Sequence, residues 1–475
     1  MSKEGLGLTA KKKNLQDWYP EVVLKSDMAD YSAVKGCMVI KPNAYYVWQE
    51  IQNYFNERLM NLNVRNAYFP LFIPESFFKK EAQHAQGFKP EVAWIANDEN
   101  SERLAIRPTS ETIIYDSYSR WIRTYRDLPF RLNQWANIIR WESKATRLFL
   151  RTREFLWQEG HCVYETREEC DKETLTFLQE YEKLCRELLA IPVLKGYKSE
   201  NEKFAGALYT LSIEAIMPDG RSLQCGTSHN LGQEFAKSFG IEFLGKDEKK
   251  HHPWQNSWGI STRLIGAMIM LHGDDKGIIL PPKVAYNKVV IIPILFEDSK
   301  RDVINQAKKI QTLLKDFNPI LDLDGEHSPG WKFNNYELKG IPLRLEIGPK
   351  DLKAKSAVLV RRDNGKKISV KLKDLKKQIR LILNGIQDNL YEKASRLMKS
   401  SVVEARNLNE FEKAISNRKI AKIFWCDSVT CEKDLKERLN TIKSILLPLE
   451  QGKVSGKCVI CNNEAKVMAY FGKPY

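Results

Sequence analysis

The sequence predicts three units: an α+β domain built on an antiparallel sheet over residues 1–283, an α/β domain over 284–400, and a small α+β, cysteine-bearing domain over 401–475. Three observations carry this. The alternating stretch AGALYTLSIEAIMPDGRSLQCGTSHNLG turns at Asp219-Gly220, the pattern of an antiparallel hairpin. Past the linker-like LPPKVAYNK at 280–288, the apolar run NKVVIIPILF reads as a buried parallel strand and opens a β-α-β-α-β order. The last fifty residues hold Cys426, Cys431, Cys458 and Cys461, as one C-x4-C pair and one C-x2-C pair.

The elements follow in order. Residues 43–60 carry a helical stripe of Ala44, Val47, Trp48, Ile51, Phe55 and Leu59, and Pro42 suits the first turn. NVRNAYFPLFIP reads as a strand broken by Pro70 and Pro74. RLAIRPTSE is strand-like and TIIYDSYSRWIRTY helical. RWESKATRLFLRTREFLWQEGH, at 140–161, reads as two extended pieces around a polar loop, and 171–190 as an amphipathic helix. NSWGISTRLIGAMIMLHG begins as a strand and passes into a helix that Ser261 or Thr262 caps. In the second unit, a helix at 299–316, PILDLD, another helix and PLRLEIG precede a hairpin around Asn364-Gly365. A long helix begins near Leu375, with Ile379, Ile382, Leu383, Ile386 and Leu390 on its apolar face.

A chain of 475 residues with 43% hydrophobic and 28% charged content has ample material for several cores. No run of about 18 apolar residues occurs, and the first twenty residues lack an apolar signal core, so a cytoplasmic protein that does not enter membranes is expected. The net charge of +15 points to a polyanionic partner, nucleic acid first among them. Cys37, Cys162, Cys170, Cys185 and Cys225 are scattered without ligand-like spacing and read as free thiols of a reducing compartment.

The run at 140–161 mixes groups that rarely share one stretch. On a strand Arg140 and Glu142 would share a face, as would Arg151 and Phe155. Arginine's planar fork matches phosphate or carboxylate oxygens, glutamate accepts from an amino group, and an aromatic ring stacks on a base. Together they make a nucleotide site on a sheet, or else a ladder of surface ion pairs. Arg263, in the first turn of a predicted helix, adds positive potential at a helix start. Neither G-x-G-x-x-G nor G-x-x-x-x-G-K-[S/T] is present, so the nucleotide would be held in another way.

Arg140-Trp141-Glu142 with Arg151 and Phe155 resembles motif 2 of the class II aminoacyl-tRNA synthetases. GISTRLIGAMI resembles motif 3, and the helix ending in YFPLFIP resembles the dimer-forming motif 1. RPTSE, FAGALYTLSIEAIMPDGRSLQCGTSHNLGQ, RLEIGPKDLK and the tail cysteines are similar to the prolyl-tRNA synthetase family of the archaeal and eukaryotic type, over essentially the whole chain. The resemblance implies a class II catalytic domain, an α/β anticodon-binding domain and a zinc-binding C-terminal domain in a homodimer. It implies activation of L-proline by ATP and transfer to tRNA(Pro).

Carried over by residue, the resemblance has Arg140 bridge the ATP α-phosphate and the proline carboxylate, stabilising charge as the acyl phosphate forms. Glu142, Arg151, Thr152 and Phe155 hold ATP, with Phe155 and Arg263 on opposite faces of adenine. Gln224 and Thr227 reach ATP and its Mg²⁺. Thr109 and Glu111 grip the secondary ammonium, while Trp157, Phe204 and His229 wall the ring. Glu346 and Lys350 are candidate contacts to anticodon bases, since glutamate accepts from and lysine donates to guanine. The chemistry needs alignment rather than a protein nucleophile, so no general base is assigned.

Cys426, Cys431, Cys458 and Cys461 suit a closed structural Zn²⁺ site. About a hundred residues separate motif 2 from motif 3, so no editing insertion is expected, and discrimination against alanine rests on a pocket difference of about 1–3 kcal/mol. Two other readings compete. Another class IIa synthetase would need different amino acid ligands; for threonine these include a zinc site, and no such Cys/His set stands out in 1–283. A non-catalytic RNA-binding relative would be expected to have lost motif arginines that are present here.

Overall fold

The computed structural model describes residues 7–82, 92–96, 101–142, 145–439 and 441–475. Its centre is an eleven-stranded sheet. From one edge the strands are Val402–Glu404, Ile420–Trp425, Val467–Gly472, Lys443–Pro448, Leu194–Tyr197, Tyr209–Ile216, Ser222–Gly232, Trp254–Ser261, Glu154–Tyr164, Phe130–Ile139 and Arg65–Asn66. All neighbours are antiparallel except the outermost pair at each edge. The expected antiparallel α+β architecture is present, and the sheet runs on without a break into the cysteine-bearing region.

The expected hairpin forms at its predicted place. Tyr209 pairs with Asn230 and Ile216 with Ser222, and Gly220 takes φ +80° in the turn. A side chain there would also strike Arg418 O, so two demands meet at one glycine. The Arg167–Glu187 helix covers one face of the sheet. A reciprocal cap starts it: Thr166 Oγ1 accepts from Glu169 N, and the Glu169 carboxylate accepts from Thr166 N, each at 3.2 Å. The Pro42–Asn61 helix, with proline in its first turn, buries all six residues of its predicted stripe. Phe55 stacks on Tyr181 at 5.1 Å, and Phe177 stacks on Trp258 at 3.9 Å, which knits helices to sheet. Any Cβ at Gly160 would overlap the Trp258 ring, so that strand position must stay bare.

The second unit has its own five-stranded sheet, in the order Ile320–Leu321, Val289–Pro293, Leu343–Ile347, Ser356–Arg361 and Lys367–Lys371. The first three strands are parallel and the hairpin adds antiparallel ones, so the sheet is mixed. The Leu375–Ser401 helix buries Ile379, Ile382, Leu383, Ile386 and Leu390 as predicted.

One expectation needs correction. Arg140, Glu142 and Arg151 do not lie on strands: the first strand ends at Ile139 and the next begins at Glu154. The intervening run folds as a turn with Phe149 at φ +59°, closed by Arg147 and Arg151. Leu148, Phe149 and Leu150 are buried, and Tyr19 donates to Leu148 O at 2.8 Å. The large apolar groups in this charged stretch therefore anchor a loop. Ser143 and Lys144 of that loop lie outside the described residues.

Candidate active site

The cleft sits over the middle of the large sheet and holds about 260 Å³. That is below the roughly 300–1,000 Å³ of pockets that enclose drug-sized ligands. It therefore surrounds a small group and leaves anything of nucleotide size partly in the open. Thr109, Glu111, Arg140, Phe155, Trp157, Phe204, Gln224, Thr227, His229 and Arg263 all line it. Residues from four separate stretches of the sequence thus meet in one place. Glu142, Arg151 and Thr152 are not among the lining residues: Glu142 and Arg151 are paired with each other, and Thr152 Oγ1 donates to Glu154 O at 2.7 Å.

The two cleft arginines are fixed by carbonyls, which leaves part of each guanidinium for a ligand. Arg140 Nε donates to Pro108 O at 3.1 Å, and the group lies 5.7 Å and 5.5 Å from the Phe155 and Trp157 ring centres. Arg263 donates from Nε to Leu150 O at 3.2 Å and from a terminal nitrogen to Gln224 O at 3.5 Å. Burial pulls both below the usual guanidinium range, with Glu111 opposing this at Arg140. At the start of the Glu111–Trp121 helix, Thr109 Oγ1 donates to the buried Glu111 carboxylate. His229 packs on Phe204 at 4.8 Å, and its Nδ1 shares a 2.9 Å hydrogen bond with Thr210 Oγ1. Burial, with a smaller contribution from His161, pushes His229 down to about 3, so its ring is neutral and serves as a wall.

Sequence reasoning missed a second layer. Glu159, buried in the floor of the cleft, accepts from Gln134 Nε2 at 2.8 Å, from Ser110 Oγ and from His161 Nε2 at 3.1 Å. Burial raises this carboxyl, but the His161, Ser110 and Gln134 bonds outweigh it and hold it low. Ser257, on the adjoining strand, also lines the cleft. Its Oγ and Trp157 Nε1 are buried without a partner among the described residues, which native structures seldom tolerate unless a ligand or water answers. Period-2 alternation from Phe155 through Trp157, Glu159 and His161 carried the signal for Glu159 and His161.

The four tail thiols converge. All lie within 4.8 Å of one another and can hold a metal ion. Two contacts cross between the two sequence pairs: Cys426 to Cys461 at 3.5 Å and Cys431 to Cys458 at 3.9 Å. The Cys431 thiol lowers Cys458 by donating to it and is itself raised. In the second unit, Glu346 is half-buried, accepts from Arg344 Nε at 2.9 Å and faces Lys367 at 3.6 Å. Lys350 is exposed at the start of the Pro349–Lys353 helix.

Comparison with known proteins agrees with this arrangement. The family described as tRNA synthetase class II core domain (G, H, P, S and T) matches residues 88–272. An anticodon binding domain matches 288–381, and the prolyl-tRNA synthetase C-terminal family matches 408–475. The proline–tRNA ligase of Alkaliphilus oremlandii is 46% identical, with 98% of both chains covered. Proline–tRNA ligase 2 of Bacillus cereus is 44% identical over the whole of both chains. A crystal structure of prolyl-tRNA synthetase from Cryptosporidium parvum, complexed with halofuginone and AMPPNP, superposes with a TM-score of 0.93 at 40% identity, covering 100% of this chain and 99% of that one. A class II core, an anticodon-binding domain and this C-terminal domain, in sequence and in one fold, mean that the chain belongs to the prolyl-tRNA synthetase family of class II tRNA ligases.

Proposed function

We propose that this cleft activates L-proline with ATP to prolyl-adenylate and passes the prolyl group to the 3′ end of tRNA(Pro). The observation that carries the reading is the pairing of Arg140 and Arg263, each tethered by carbonyls and open to one cleft, with the Thr109–Glu111 pair beside them. Glu111 and Thr109 accept the two N–H groups of the prolyl ammonium. Trp157, Phe204 and His229 enclose the ring, and Ser257 Oγ offers a further polar contact. Arg140 neutralises the carboxylate and the α-phosphate as the carboxylate oxygen attacks phosphorus and pyrophosphate leaves. Phe155 and Arg263 sandwich adenine. Glu142, Arg151, Thr152, Gln224 and Thr227 hold the remaining nucleotide groups, and Mg²⁺ accompanies ATP by screening its phosphates.

Zinc is the metal we assign to the four thiols. Tetrahedral Zn–S bonds of about 2.3 Å put sulfurs about 3.8 Å apart, and the Cys426–Cys461 and Cys431–Cys458 pairs, at 3.5 and 3.9 Å, bracket that spacing. Homodimerisation is supported by exposed apolar side chains on and around the motif 1 helix: Tyr31, Val39, Met60, Tyr68 and Phe72. The domain limits 283/284 and 400/401, anticodon contacts by Glu346 and Lys350, and a cytoplasmic location complete the reading. Among the described residues no helix is long and apolar enough to cross a membrane.

Proline-dependent ATP–pyrophosphate exchange, with threonine, histidine and alanine as controls, tests it. Exchange should require proline and fall by roughly 10²-fold or more in Arg140→Ala, while tRNA binding persists. No exchange with proline from folded protein would sink the proposal.

A further inference from the structure

Phe204 ends a segment that starts at Lys198; its two ends bond Thr210 and Glu214 of the adjoining strand, and the residues between take partners from the C-terminal region. Ser199 Oγ and Asn201 Nδ2 both donate to Oε2 of Glu432 at 2.9 Å, and Oε1 of the same carboxylate accepts from Ser444 N at 3.2 Å. Glu432 is fully buried, and among the described residues no cation pairs with it. Glu202, two residues before Phe204, lines the cleft and accepts from Lys436 Nζ at 2.8 Å and Lys443 Nζ at 2.9 Å. Lys198 Nζ adds a bond to Ile445 O at 3.0 Å. The Val429–Arg438 helix therefore supplies Glu432 and Lys436, and it also carries Cys431 of the thiol cluster.

We infer that Glu432, Lys436 and Lys443 are positioning residues for proline: they hold the segment that presses Phe204 onto His229 and so set the fit of the pocket. Charge-assisted bonds such as these are roughly twice as strong as neutral ones, and five of them converge on Glu432 and Glu202. Phe204 N donates to Thr210 Oγ1, which also bonds His229, so any drift of the segment reaches both walls of the ring site. Arg140 and Arg263 take their tethers from Pro108, Leu150 and Gln224 instead. The effect should fall on proline and spare ATP. This inference rests on the assignment of Phe204 and His229 to the proline pocket made above.

The test is pyrophosphate exchange measured against proline and against ATP for Lys436→Met/Lys443→Met, Lys436→Arg/Lys443→Arg and Glu432→Ala. Both lysines are partly exposed, so their replacement keeps the fold. The methionine pair should raise KM for proline roughly tenfold and shift KM for ATP by less than about twofold. The arginine pair should restore KM for proline to within about twofold, because its donors reach the same carboxylate. Glu432→Ala should move KM for proline further in the same direction. Unchanged KM for proline in the methionine pair and in Glu432→Ala overturns the inference, as does an equal rise for both substrates. Wild-type exchange separates the two levels: its absence removes the functional reading and this inference with it. Normal wild-type exchange with unmoved variants removes the inference alone.

Discussion

The anticodon-binding domain keeps a five-stranded sheet of its own, whereas the C-terminal domain joins the catalytic sheet strand to strand. The first is fastened largely by side chains. Arg362 donates to both oxygens of Asp274 at 2.7 and 2.6 Å, and Gln387 Nε2 donates to the carbonyls of Glu187 and Leu188 at 3.2 and 3.1 Å. Two backbone bonds join 278 and 280 to 338 and 340. The second is fastened by a ladder, Leu447 to Tyr197 and Pro448 to Gly196, with Ser222 N donating to Lys473 O and Tyr475 N donating to Ser222 O nearby. Side-chain fasteners can exchange one at a time. A shared ladder cannot slip by one residue without turning every side chain to the wrong face. The cysteine-bearing domain is thus mechanically part of the catalytic body, and the anticodon domain is an attachment to it.

The largest test of that contrast is Cys458→Ser. Metal analysis should find about one zinc per chain in the parent and none in the variant, with stability lower by several kcal/mol, and with weaker proline activation despite the distance. Retained zinc, or unaltered exchange after its loss, would detach the two regions. Next is Gly196→Val at the seam itself, where a Cβ would lie 2.1 Å from Leu447 O. Thermal unfolding should show a loss of about 3 kcal/mol, and a change under about 0.5 kcal/mol would mean that the seam can part. On the other side, Arg362→Ala should cost about 1.5 kcal/mol, reduced because Asp274 faces solvent. It should leave pyrophosphate exchange intact and lower the rate of tRNA charging.

The smallest effect is in pH dependence. His272 shares a 2.9 Å hydrogen bond with Leu189 O near the anticodon-side seam, and burial pushes it down to about 4. The unfolded chain, near 6.5, binds the proton first as pH falls. The stability from a neutral His272 is therefore complete above about pH 6.5 and declines toward pH 4. At pH 5.5 this group should lower the stability read from urea midpoints by about 1 kcal/mol, beside a similar loss from the buried His229, and His272→Gln should remove its own share of the slope and leave the other.

Periodic features were legible in the sequence: the Pro42–Asn61 stripe, the Asp219-Gly220 hairpin, the apolar strand at 289 and the long helix from Leu375. The cleft residues were legible because each of the four stretches that supply them resembles a family motif. The loop within 140–161 was legible, but its flanks Arg140, Glu142 and Arg151 read as strand and lie outside the strands, while the buried anchors Leu148 to Leu150 act through contacts that no local pattern records. Glu159 and Ser257 were missed for a related reason: on strands, a polar residue facing a ligand and one facing water look the same. The C-terminal contact with residues 198–204 spans more than two hundred positions, and spacing carries no trace of it.

The shared ladder also bears on how the molecule is made. The Leu194–Tyr197 strand emerges from the ribosome some 250 residues before the Lys443–Pro448 strand that pairs with it. Until then the growing chain presents an open strand edge, a template for unwanted pairing with other nascent chains. Synthesis pauses after residue 200 would lengthen that exposure. Codon choice and chaperone supply over that interval therefore bear on yield separately from the stability of the finished enzyme.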